Sequence, residues 1–245
     1  MPTLLRGQES KETVVCIHGL LRTRMNMVPI ARHLKKGGFR TVNWTYPSRK
    51  YPIHTHAEML VNTLNSIAQE NPGVPIHFAT HSLGGIITRA ALSHPNCPPE
   101  AKVGCAVLIA PPNRGSQTAR SLYKNRLARK ALGCHGAGHE LMIQPPEHFE
   151  TIGTFPETKA ILIISGTAGI TPLLDGPNDG KVTVAESCLD TPHEHETFLA
   201  GHSWICYDPR VIRRVREFLS CSRSQTFRSS PHEKPPSPPS LPITR

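Results

Sequence analysis

The sequence predicts an α/β fold with a mostly parallel central sheet and helices on both faces, and three observations carry that prediction. Short runs, apolar on both sides, recur along the chain and each ends at a breaker. Segments with a helical apolar period lie between them. The 245 residues suffice for one sizeable core. Runs that are apolar on both sides suit strands buried between two helical layers, the habit of parallel sheets. Alternation with helices supplies the crossover that every parallel pair needs.

The first run is Val14-Val15-Cys16-Ile17, ended by His18-Gly19. Met27, Ile30, Ala31 and Leu34 then share a helical face, closed by Gly37-Gly38. A second run covers 41–44, and Ala57, Leu60, Val61, Leu64 and Ala68 mark the next helix, closed by Asn71-Pro72-Gly73. Residues 76–80 read as a strand and 83–92 as the helix after it; runs at 105–110 and 160–164 complete the set. A last helix starts at Asp208-Pro209, where Asp can cap and Pro fits the first turn. It buries Val211, Ile212, Val215, Phe218 and Leu219 and turns Arg210, Arg213, Arg214 and Arg216 to solvent. One domain is therefore expected over 1–221. The Pro/Ser-rich segment 222–245 reads as a disordered tail, since scarce apolar residues cannot offset the entropy of ordering.

The formal charge of +10 admits anionic partners: membrane headgroups, acidic substrates or nucleic acid. Nucleic acid is not expected, because no recognition motif is present and only 5% of residues are aromatic, which leaves few stacking platforms. The seven cysteines are odd in number and include no C-x-x-C pair and no ligand-like Cys/His spacing, so they read as reduced thiols without a metal. The opening residues carry no charged region followed by an apolar one, and nowhere do about eighteen apolar residues run together. A cytoplasmic protein is the resulting expectation.

Chemistry centres on Thr80-His81-Ser82-Leu83-Gly84-Gly85. A strand before and a helix after place Ser82 on a sharp turn, where a nucleophile elbow exposes a strained hydroxyl above the sheet. Such a turn needs small neighbours. Gly84 and Gly85 supply them on one side, while Thr80 holds the position that is Gly in the usual G-x-S-x-G. Acyl transfer also needs N–H donors for the developing oxyanion. Leu83, next to the serine, and Leu20, after His18-Gly19, are placed to offer them. The base must be a His held by a carboxylate, with chain order Ser, acid, His. Asp179 in Asn178-Asp179-Gly180 and His202 in Gly201-His202 suit these roles; by residue type alone Asp175 or Glu186, and His193 or His195, remain open.

Strand-His18-Gly19-Leu20, the Ser82 elbow, Ala110-Pro111-Pro112-Asn113-Arg114-Gly115-Ser116, Asn178-Asp179-Gly180 and Gly201-His202 together resemble the α/β-hydrolase lipases and esterases of bacterial type, over roughly residues 12 to 219. The resemblance implies the α/β-hydrolase fold, Ser82, Asp179 and His202 as catalytic triad, and oxyanion amides at Leu20 and Leu83. It also implies a small cap or lid at about 112–155. There Ala119, Leu122, Tyr123, Leu127 and Ala131 lie among Arg120, Lys124, Arg126, Arg129 and Lys130, the pattern of one amphipathic cationic helix suited to an anionic membrane surface or an acidic acyl substrate. Some secreted members of that family bind calcium through an Asp two residues after the catalytic His; Trp204 stands there, so no metal and no cofactor is expected.

The function implied is hydrolysis of carboxylic esters, with a small acyl ester or lipid as substrate and an acyl-enzyme as intermediate. Thioesterase, amidase and phospholipase chemistry would use the same triad. A different class, an inactive hydrolase-like scaffold that binds lipid or a partner, would require the triad to be broken.

Overall fold

A computed structural model describes residues 11–226, apart from 134, 172 and 173. In chain order it contains β1 (Thr13–Ile17), α1 (Val28–Lys36), β2 (Arg40–Trp44), α2 (Ile53–Glu70), β3 (Ile76–His81), α3 (Leu83–Ser93), α4 (Pro99–Val103) and β4 (Ala106–Ile109). The insertion follows as α5 (Gln117–Ser121), α6 (Arg126–Leu132), α7 (Ala137–Ile143) and α8 (Pro146–Thr151). The chain closes with β5 (Ile161–Gly166), α9 (Val184–Ser187), β6 (Glu194–Phe198) and α10 (Pro209–Thr226).

Among the described residues the strands form one parallel sheet in the order β2-β1-β3-β4-β5-β6. The order follows from the chain's path. From β1 it steps outward to β2, then returns across β1 to β3 and continues in the new direction. Right-handed crossovers place connections that run in opposite directions on opposite faces. Accordingly α1 and α10 pack on one face with Val14, Cys16, Ala79, Val107 and Ile164, while α2 and α3 pack on the other with Val15, Ile17, Phe78, Leu108 and Ile163. Alternate residues of the same strand feed two cores, which is why the central strands carry apolar residues on both faces. The reversal leaves a crevice between the carboxyl ends of β1 and β3, where ligands of open α/β sheets bind.

Five strands match the apolar runs to within two residues at either end. The sixth, β6, does not show in the hydropathy pattern. It is an edge strand paired only with β5, from Leu162↔Glu194 to Gly166↔Phe198, and is half-covered. Its acidic side chains are held from α10 instead: Arg214 reaches Glu194 at 2.9 Å and Glu196 at 2.7 Å.

The insertion corrects one expectation. The basic segment is not a single helix, because Asn125 interrupts it. The Asn125 side-chain oxygen accepts hydrogen bonds from the Leu127 and Ala128 amides at 2.9 and 3.0 Å and so starts α6 afresh after a 3-10 turn over Leu122–Lys124. Asn is among the best N-caps, and here that local preference overrides the longer apolar period. At the other end of the chain, Asp208 accepts from the Arg210 amide at 2.9 Å and Pro209 opens α10, as expected. The helix extends to Thr226, and the Pro/Ser-rich segment from 227 onward lies outside the described residues.

Candidate active site

β3 ends at His81 and α3 begins at Leu83, so Ser82 alone turns the chain. It does so at φ 54° and ψ −123°, a conformation that costs an L-residue roughly 1–3 kcal/mol. The strain is held by the surroundings. The Ser82 amide donates to the Ile109 carbonyl at 2.8 Å, and the Ser82 carbonyl accepts from Gly85 at 2.9 Å. A Cβ on Gly19 would lie 2.9 Å from Ser82 Cβ, and one on Gly84 would lie 2.8 Å from the Ile17 carbonyl oxygen. Both glycines thus let the turn sit against the end of β1. The departure at Thr80 is absorbed on the other side: its buried hydroxyl donates to the Val107 carbonyl at 3.5 Å, and the bare Gly85 faces it. Gly84→Ala is expected to lower stability by about 1–3 kcal/mol through backbone overpacking, read as a fall in melting temperature.

Asp179 and His202 reach Ser82 from the loops that follow β5 and β6, at the same carboxyl edge of the sheet. Ser82 Oγ lies 3.1 Å from His202 Nε2, and His202 Nδ1 lies 2.7 Å from Asp179 Oδ2. The second carboxylate oxygen of Asp179 accepts from the Lys181 and Val182 amides at 2.9 and 2.8 Å. These two amides fix the orientation of the carboxylate. The two loops are tied by backbone as well, since the His202 amide donates to the Asp179 carbonyl at 2.9 Å. Gly180, at φ 92°, gives the acid loop its turn. All three side chains are buried, with Ser82 exposed by 9% toward the cleft.

The alternatives left open by residue type do not reach Ser82. Glu186 closes a capping box with Thr183 at the start of α9. Asp175 is exposed. His195 on β6 sits 2.8 Å from Ser165 Oγ, and His193 donates to the Thr191 carbonyl at 2.8 Å.

Among the described residues the Leu20 and Leu83 amides have no hydrogen-bond partner. Leu21 turns away at φ 58°, and its own amide donates to Ser48 Oγ at 3.2 Å. The loop bearing Leu20 is fixed from below. His18 stacks on Tyr46 at 4.4 Å, and the Tyr46 hydroxyl donates to the His18 carbonyl at 2.8 Å. No local pattern announces Tyr46, which lies 28 residues from the loop it supports.

His81 has a larger part than its sequence position suggests. Its ring lies 4.9 Å from that of His202, and its Nε2–H donates to the His202 carbonyl at 3.1 Å. Burial, and then the nearby His202, hold its pKa well below the usual histidine value, so it serves as a neutral donor. It positions the loop that carries His202.

Above Ser82 opens a cleft of about 380 Å³. Ala119, Leu122, Ala128, Ala131, Leu132 and Leu141, from the insertion, form an apolar wall. Arg22 and Lys181 stand at its rim, and burial followed by the Arg22 charge lowers the Lys181 pKa from the usual lysine value. Among the described residues no helix is long and apolar enough to cross a membrane.

No protein-family model and no curated protein sequence matches the chain. Solved structures do match it in fold. The mature form of lipase BlEst2 from Bacillus licheniformis superposes with a TM-score of 0.73 at 20% identity, over 89% of this chain and 96% of that one. The metagenomic carboxyl esterase MGS0156 gives a TM-score of 0.64 at 16% identity, over 93% and 79%. Est1E from Butyrivibrio proteoclasticus, solved with ferulic acid bound, gives 0.60 at 14%, over 90% and 92%. At such identities the likeness is one of architecture: with its parallel sheet, helices on both faces and a strained serine between β3 and α3, the chain has the α/β-hydrolase fold.

Proposed function

We propose that this protein is a serine hydrolase that cleaves carboxylic esters through an acyl-enzyme. The observation that carries the reading is the unbroken hydrogen-bonded chain Ser82–His202–Asp179 beneath an apolar cleft. Asp179 accepts a hydrogen bond from the Nδ1–H of His202, which leaves the Nε2 lone pair directed at the serine hydroxyl. His202 takes the hydroxyl proton as Ser82 Oγ bonds to the ester carbonyl carbon, and the carbonyl oxygen becomes an oxyanion facing the Leu20 and Leu83 amides. The imidazolium then gives its proton to the departing alcohol as the ester C–O bond breaks. Water, deprotonated by the same imidazole, attacks the acyl-serine and restores the enzyme. No step requires a metal or an organic cofactor.

The apolar wall suits an acyl chain, and the two cations at the rim suit an ester that carries negative charge. A phospholipid combines both features; thioesters and amides would use the same residues. Turnover of p-nitrophenyl esters of graded chain length, with Ser82→Ala as control, tests the reading. Labelling of Ser82 by a fluorophosphonate separates a hydrolase from an inactive scaffold: a labelled protein that spares all oxygen esters would point to thioesters or amides, and an unlabelled one to a scaffold.

The same cleft is edged by α6, where Leu127, 79% exposed, stands among Arg126, Arg129 and Lys130. An exposed leucine ringed by cations is suited to an anionic membrane surface. Vesicles containing anionic lipid are expected to retain the protein more than neutral ones, with the difference lost in high salt; equal retention on both would sink the idea.

A further inference from the structure

A second cluster lies away from the cleft, where the loop after α9 enters β6. Cys188, His193 and His195 each turn one ligand-type atom inward, and these atoms lie within 4.8 Å of one another. The C-x4-H-x-H spacing carries no familiar signature. It is the pairing of β6 with β5 and the end of α9 that gather the three side chains.

Their arrangement goes beyond proximity. Cys188 Sγ lies 3.7 Å from His195 Nδ1. A tetrahedral zinc ion sets thiolate sulfur and imidazole nitrogen roughly 3.5 Å apart, given bonds of about 2.3 and 2.0–2.1 Å. Each imidazole is also held by its other nitrogen. His193 Nδ1–H donates to the Thr191 carbonyl at 2.8 Å, which leaves a free lone pair on Nε2. His195 Nε2 pairs with Ser165 Oγ at 2.8 Å, and with the serine accepting, the Nδ1 lone pair faces Cys188. This outer contact on the second nitrogen is the pattern that fixes the tautomer of metal-bound histidines. All three residues are half-buried, so an ion can enter from solvent.

We propose that Cys188, His193 and His195 bind a soft divalent transition-metal ion, zinc foremost, with water in the fourth position. A thiolate with two imidazoles selects such ions over magnesium or calcium, which take oxygen ligands. Binding displaces the thiol proton to solvent, and the sulfur gives up its contact with the Val184 carbonyl at 3.5 Å. Ser82, Asp179 and His202 supply no ligand. The ion would join the end of α9, just past the acid loop, to the start of β6, which leads to the His202 loop.

The test uses the full chain, first stripped with a chelator and then titrated with Co²⁺. A thiolate-to-cobalt charge-transfer band is expected to saturate at one ion per chain and to be displaced by Zn²⁺. Cys188→Ser should abolish the band and weaken Zn²⁺ binding by about 100-fold or more, and Ser165→Ala should weaken it by about tenfold. Replacing the exposed Cys221 by Ser should leave the band unchanged. Zn²⁺ should raise the melting temperature of the parent protein and not that of Cys188→Ser. If that variant fails to fold, His193→Ala carries the test, and it too should lose binding. No band, or one that survives Cys188→Ser or His193→Ala, overturns the proposal.

Discussion

Ser82→Ala is expected to lower ester turnover by about 10⁵–10⁶-fold, the scale on which a triad's members act as one unit. The variant loses the hydroxyl 3.1 Å from His202 Nε2. It keeps the cleft and the two unpaired amides, so a residual rate above that in water should survive. Folding should be little affected. Alanine can take the same backbone conformation, and the bonds that hold it, to the Ile109 carbonyl and from the Gly85 amide, are made by main chain. The check is kcat/KM on a p-nitrophenyl ester beside a thermal melt. A folded variant that retains even a tenth of the parent activity, in a preparation free of other esterases, would remove Ser82 from the proposed mechanism.

Asp179→Asn is expected to cost about 10⁴-fold in kcat with KM nearly unchanged, because it alters a tautomer rather than a shape. Asn can keep an oxygen toward the Lys181 and Val182 amides, which now donate at 2.9 and 2.8 Å. Its amide nitrogen would then face His202 Nδ1 and donate where the carboxylate accepts. The imidazole must answer with its Nδ1 lone pair, so its proton moves to Nε2, and Nε2 no longer takes the proton of Ser82. Fluorophosphonate labelling should slow in parallel with turnover. Asp175→Asn should stay within about twofold of the parent, since it is an exposed surface change. A loss below tenfold in Asp179→Asn would show that another group orients His202.

The two predictions rest on residues of different legibility. Ser82 was legible because its setting is local: a strand, one turning residue, and two glycines within the next three positions. The acid and base were legible only through the family resemblance, because residue type and chain order alone admit Asp175 or Glu186 as readily as Asp179, and His193 or His195 as readily as His202. What separates them is that Asp179 and His202 meet at 2.7 Å under Ser82, a contact across 120 residues for the serine and 23 for the acid. His193 and His195 instead join Cys188 at the sheet edge.

The amino-acid sequence by itself determined the strands and helices whose faces are both buried, their alternation, and hence the parallel sheet and the place of the turning serine; apolar burial acts residue by residue and leaves a periodic trace. Tertiary structure alone decided the polar edge strand β6, the break of the basic segment at Asn125, the support of the His202 loop by His81, and the partners of Ser82. These depend on hydrogen bonds and close approaches between distant segments, which no period in the chain records.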